Sequence, residues 1–297
     1  MHDMVKTRPR RPRNAFLRRS RTSRRTAPTL FLLLTALLLL SACDAAADAP
    51  AAETRQSHDT SSASADDLFS ALLREHVHGG RVDYARMKDD PRLVQVCDSL
   101  ARVQPLEFVD SNSVKSYWIN VYNAFTLKLI CDNYPVESIN DLHFLGSLYI
   151  SVPLGLSVWD SYEFLIDGRE HTLNMVEHEI LRARYADFRI HAAVVCASVS
   201  CPPLRSEAYD ASRLDSQLDE NMRAWCADTS KNRYDKNEGV LYLSKIFDWY
   251  ESDFGASREA MVRAVLPYFP TPARNAVAAH NGLPDVEFLD YDWSLNE

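Results

Sequence analysis

Glycine is scarce in this chain, 8 in 297 residues, and the G-x-G-x-x-G loop of nucleotide-binding folds does not occur, nor does glycine-rich linker or collagen-like sequence. The C-x-x-C and H-E-x-x-H spacings of zinc sites are missing as well. A bilayer-spanning helix takes about 20 apolar residues, whereas the apolar run Leu30 to Leu40 has eleven. Positive charge is scarce after the leader. Of 33 Lys/Arg and 41 Asp/Glu, ten Lys/Arg and one acid (Asp3) fall within residues 1–42, so 23 bases face 40 acids from Cys43 onward, a net of −17. An acidic body of this kind is a poor partner for nucleic acid, and none is expected. What remains is ordinary globular composition, 46% hydrophobic and 10% aromatic, with enough chain for a real core.

The N-terminus reads as a bacterial lipoprotein signal peptide over residues 1–42. An arginine-rich region runs to Arg25, the apolar run follows, and Leu40-Ser41-Ala42-Cys43 supplies the leucine, two small residues and the cysteine to be acylated. Cleavage before Cys43 leaves a lipid-anchored protein in the cell envelope, facing the periplasm, with the membrane as its partner. Residues 43–65, rich in Ala, Ser and Asp and without periodicity, read as a disordered tether. A helical preamble over 66–112 and an α+β core domain over 113–297 complete the organisation, with several helices around a small mixed or antiparallel sheet.

Within the core domain, a helix capped by Ser113 and stopped by Pro135 is apolar nearly all round and so reads as central and buried. It carries Asn120 and Asn123 three residues apart, either a structural hydrogen-bond network or a pair of binding amides. In the next helix, about Leu173–Arg184, Glu177 and Arg184 fall inside the apolar stripe, where they form a structural ion pair or mark a site. Arg189–Ala197 reads as a short buried strand. At about 3.3 Å per residue, a straight strand holds His191 and Cys196 some 16 Å apart. Cys201 approaches His191 only if Ser198–Ser200 turn the chain back.

Three chemistries follow. Cys201 as nucleophile, His191 as base and Glu177 as orienter or acid describe a cysteine-dependent hydrolase or acyl transferase. Asn120, Asn123 and Arg184 as binding or buried polar groups describe a binding or scaffold module, which is the leading expectation. His171, His178, His191, Cys196 and Cys201 are metal-ligand types, but their H-x4-C-x4-C spacing is not a standard one; no cofactor or metal site is assigned. The Cys196–Cys201 spacing also admits a disulfide, which removes the nucleophile.

Trp118-Ile119-Asn120-x-Tyr122-Asn123-Ala124, Glu177-His178, the run from His191 through Cys196-Ala197-Ser198-x-Ser200-Cys201-Pro202-Pro203-Leu204, and Leu243-Ser244-Lys245-Ile246-Phe247-x-Trp249-Tyr250 resemble the uncharacterised family called domain of unknown function 547, over about 117–254. The resemblance implies no settled activity; bacterial members are often secreted or lipoproteins. There is also a faint likeness to papain- and transglutaminase-type folds, in which a buried helix packs on histidine-bearing strands. Where those folds carry a cysteine at the helix start, this chain has Trp118, Asn120 and Asn123. Mass spectrometry of the mature protein from its native envelope is expected to find an N-terminal acylated Cys43; a chain that begins elsewhere removes the anchor.

Overall fold

The buried helix organises everything else. In the computed structural model, which describes residues 65–143, 157–280 and 282–297, it spans Ser111–Asn133 (α4), and every residue from Lys115 to Cys131 except Lys128 is buried. The expected leader, Cys43 and the expected tether up to residue 64 lie outside the described residues, while Ala65 already belongs to the first helix. Asp110, not Ser113, is the cap. Its Oδ1 accepts from the backbone N–H groups of Asn112 and Ser113, both at 2.9 Å, and its Oδ2 from the Ser113 hydroxyl. A carboxylate at this end also complements the helix dipole, which a serine cannot do.

Around α4 lie a first helix over 65–76 (α1), the two-residue strands Val77–His78 (β1) and Arg81–Val82 (β2), and the helices Tyr84–Met87 (α2) and Pro91–Ala101 (α3). After α4 come the turn Val158–Ser161 (α5), and the antiparallel hairpin Glu163–Ile166 (β3) with Arg169–Thr172 (β4). That hairpin turns at Asp167 and Gly168, both at positive φ (50° and 71°), the left-handed pair that a two-residue hairpin loop demands. Val158–Ser161 is helical rather than strand because Ser157 caps it, accepting from Asp160 N–H.

The helix expected over 173–184 is present, but its central part, Met175–Arg182, is π-helical. Its i→i+5 bonding widens the turn, so a 3.6-residue wheel misplaces side chains toward its end. The expected strand over 189–197 is a correction. Ile190–Ala193 forms a single helical turn (α6), with 194–196 extended behind it. Asp187 starts that turn: its carbonyl accepts from Ile190 N–H and its carboxylate from Arg189 N–H. A short, mostly apolar run such as Ile190–Val195 suits a helical turn as well as a strand.

Leu214–Ala227 (α7) packs its buried Leu214, Leu218, Met222 and Trp225 inward. The strands Arg233–Asp235 (β5) and Val240–Leu243 (β6) pair antiparallel. Lys245–Trp249 (α8), Glu251–Phe254 (α9), Arg258–Val265 (α10) and Thr271–Ala279 (α11) follow, before Asp285–Phe288 (β7) returns parallel to β6. The architecture is α+β. Its strands are divided among two two-stranded sheets and one mixed three-stranded sheet, rather than gathered into one.

The apolar residues form two clusters. The larger surrounds α4; the smaller joins α7, β6, α8 and α10, with Trp225 stacked on Phe247 at 4.4 Å. At the start of α1, Asp66 accepts from Asn120 Nδ2 at 2.9 Å. Burial, with Asp210 and Asp67 adding repulsion, pushes its carboxyl up to about 7. Between about pH 4 and 7 the folded chain therefore holds a proton that the unfolded chain has lost, and stability falls as pH rises through that window. Asp66→Asn is expected to melt with the parent near pH 4 and about 2–5 °C above it at pH 7.5; parallel melting curves across this range would remove Asp66 from the pH response.

Candidate functional site

Asn120 and Asn123 are committed to backbone. Asn120 donates to Tyr209 O (2.8 Å) and Asp66, and its Oδ1 accepts from Tyr209 N–H. Asn123 donates to Ala193 O at 2.8 Å and accepts from Val195 N–H at 3.0 Å. Each amide thus gives an irregular segment the partners that a strand or helix would otherwise supply. The segment held by Asn123 leads directly into Cys196.

Beyond it opens a cavity of about 300 Å³. His191, Glu177, His178, Cys196 and Cys201 all line it, so the structure brings together three segments that the sequence separates. Because His191 stands on a helical turn, the 16 Å separation expected of a strand does not apply. Cys196 and Cys201 are joined as a disulfide, with Cα atoms 6.3 Å apart. A disulfide sulfur is not a nucleophile, and Cys201 offers no thiolate in this state. The Tyr291 hydroxyl lies 3.1 and 3.3 Å from the two sulfurs and receives a hydrogen bond from Ser198 Oγ at 2.9 Å. Cys97, Cys131 and Cys226 are buried free thiols, and burial raises all three, the first two to about 12.

His191 is held by Asp253, its Nε2 2.8 Å from Oδ2, and stacks on Tyr250 at 4.3 Å. The same carboxylate accepts from Arg182 Nε (2.6 Å) and Nη2 (2.9 Å). His191 and Arg182 together hold the Asp253 carboxyl well below the usual range. Arg182 also donates through Nη1 to His178 Nδ1, and its guanidinium lies 4.5 Å from the Tyr250 ring centroid. The orienter of His191 is therefore Asp253, 62 residues along the chain, rather than Glu177.

Glu177 is buried at 8% exposure. It lies beside the hydroxyls of Tyr122 and Tyr250, both raised well above the ordinary tyrosine range by burial and then by this carboxyl group. The expected pairing with Arg184 is a second correction. Arg184 lines a separate cavity with Trp118, Ile180 and His171, because the π-helical turns rotate it off the Glu177 face. His171 is thereby also apart from the other four metal-type residues. Among the described residues, the His/carboxylate group within ligand distance is Glu75–His76–Asp90, and Arg92 already bonds both of its carboxylates at 2.5 Å.

The remaining wall is aromatic. Trp249 from α8, Trp159 from α5, and Tyr291 and Trp293 from the C-terminal segment contact one another, with centroids 4.5 to 5.8 Å apart. That segment is tied in by backbone hydrogen bonds: Val199 N–H to Ser294 O, Leu295 N–H to Glu137 O and Asn296 N–H to Ala197 O. Asp253, Trp249, Tyr250, Tyr291 and Trp293 are not among the candidate site residues that the sequence singles out. The one available signal was the aromatic density of Trp249-Tyr250 and Tyr291-Asp292-Trp293.

The family model described as "Protein of unknown function, DUF547" matches residues 106–226. The matched stretch includes α4, Glu177, His191 and both disulfide cysteines, and ends before Trp249, Tyr250, Asp253, Tyr291 and Trp293. No curated protein and no solved structure matches the chain.

Asn123→Ala leaves the Ala193 carbonyl and the Val195 N–H buried without partners. At about 1–3 kcal/mol for each orphaned group, urea unfolding is expected to show a loss of about 2–5 kcal/mol. A loss below about 1 kcal/mol would mean that other groups hold the 193–195 segment.

Proposed function

We propose that this chain is an envelope lipoprotein, anchored to a bacterial membrane through acylated Cys43 and facing the periplasm, whose domain binds a small organic ligand. The anchor rests on the Leu40-Ser41-Ala42-Cys43 box and the leader before it. The binding reading is supported by one observation above the rest: a cavity of about 300 Å³ where an aromatic wall faces buried Glu177 and the Asp253-held His191. An apolar pocket with a few convergent polar groups is the ordinary form of a small-molecule site. A pure scaffold has no need of one.

A second reading, a cysteine-dependent hydrolase or acyl transferase, draws on the His191–Asp253 pair in the same cavity as Cys201. It requires Cys196–Cys201 to be reduced first, and for that reason it ranks below binding. Ligand-observed NMR with a fragment library is expected to yield saturable binders that quench tryptophan fluorescence and weaken about tenfold or more in Trp249→Ala, the scale of one lost aromatic contact. A library without any saturable binder, or binders indifferent to Trp249, would overturn the binding reading.

A further inference from the structure

We propose that the cavity selects a small organic cation, an alkylated ammonium group, seated on the aromatic wall with its charge toward Glu177; this rests on the binding reading above. The carrying observation is the charge balance of the lining. Among the described residues around the cavity, Glu177 is the sole carboxyl group, and no lysine or arginine contributes to the wall. Glu177 is buried and has no ion pair among the described residues. A buried carboxylate calls for a counter-cation or a price in desolvation, and its neighbours here are tyrosine hydroxyls.

The cations nearby are otherwise engaged. Arg182 grips Asp253 with two nitrogens and donates to His178 Nδ1, which can accept only as a neutral ring. His191 faces Asp253. Lys231 donates to the Cys201 carbonyl at 2.6 Å and pairs with Asp228, and Lys245 pairs with Asp248. The negative end of the cavity is thus left open to whatever enters it.

The aromatic part of the lining has the complementary chemistry. Trp159, Trp249, Tyr291 and Trp293 offer electron-rich ring faces, which attract alkylated ammonium groups once water is displaced. A neutral apolar ligand leaves Glu177 with its tyrosine hydroxyls but without a counter-cation. The net −17 of the chain after the leader adds a long-range field that concentrates cations near the surface.

The test compares choline with 3,3-dimethylbutan-1-ol, which has the same shape with carbon in place of the charged nitrogen, by calorimetric titration of the full chain. Choline is expected to bind about tenfold or more tightly than the alcohol, the discrimination of a desolvated cation on an aromatic face. Glu177→Gln should cut that preference several-fold, and Trp249→Leu, at the exposed rim, should weaken choline by a similar factor. If Glu177→Gln fails to fold, the isostere comparison on the parent and Trp249→Leu decide the matter. Equal affinity for the two probes, or no choline binding while library fragments still bind in the cavity, overturns the cation and leaves the binding reading standing. No binding by any probe or fragment overturns both.

Discussion

The structure depends on two carboxamides inside a helix that has almost no other polar face. A helix buried from Lys115 to Cys131 must meet protein on every side, and part of what it meets here is irregular backbone. Irregular backbone at that depth is tolerable only if its N–H and C=O groups are paired. Asn123 does this for the 193–195 segment and Asn120 for Tyr209, each acting as donor and acceptor at once. The position of Cys196, and with it the floor of the cavity, follows from that clamp.

The cavity is assembled from parts distant in sequence, each fixed by a different interaction. Glu177 comes from the π-helical segment, His191 from a one-turn helix started by Asp187, and the disulfide from the loop behind it. Asp253 links two of these parts, because one carboxylate carries both His191 and Arg182. Two members of the aromatic wall, Tyr291 and Trp293, come last in the chain, on a C-terminal segment that pairs with 137 and 197–199. A disulfide at the floor and a histidine–aspartate pair at the side give the site two latent chemistries, while its unpaired buried carboxyl group gives it a charge preference.

The family-model match over 106–226 covers the clamp, Trp159, Glu177, His191 and the disulfide, and ends before the rest of the aromatic wall. The matched stretch therefore carries much of the cavity lining, and Ile246, Trp249, Tyr250, Tyr291 and Trp293 are contributed by sequence after it.

The chain's own pattern determined the central helix and the helix over 173–184, because each follows from local periodicity, and the Asp167-Gly168 turn that a two-residue hairpin demands. It also determined that Asn120, Asn123 and Glu177 would be buried, since their positions on an apolar helix leave no other place for them. Tertiary structure alone decided the rest. Whether Ile190–Ala193 becomes helix or strand depends on a partner strand that no local rule can supply, and here Asp187 and Asn123 settled it instead. Arg184 left the site because a π-helical turn changed the period on which the wheel rests. Asp253 reached His191 across 62 residues, a contact that periodicity has no means to encode, since it is set by how α9 packs and not by its own pattern.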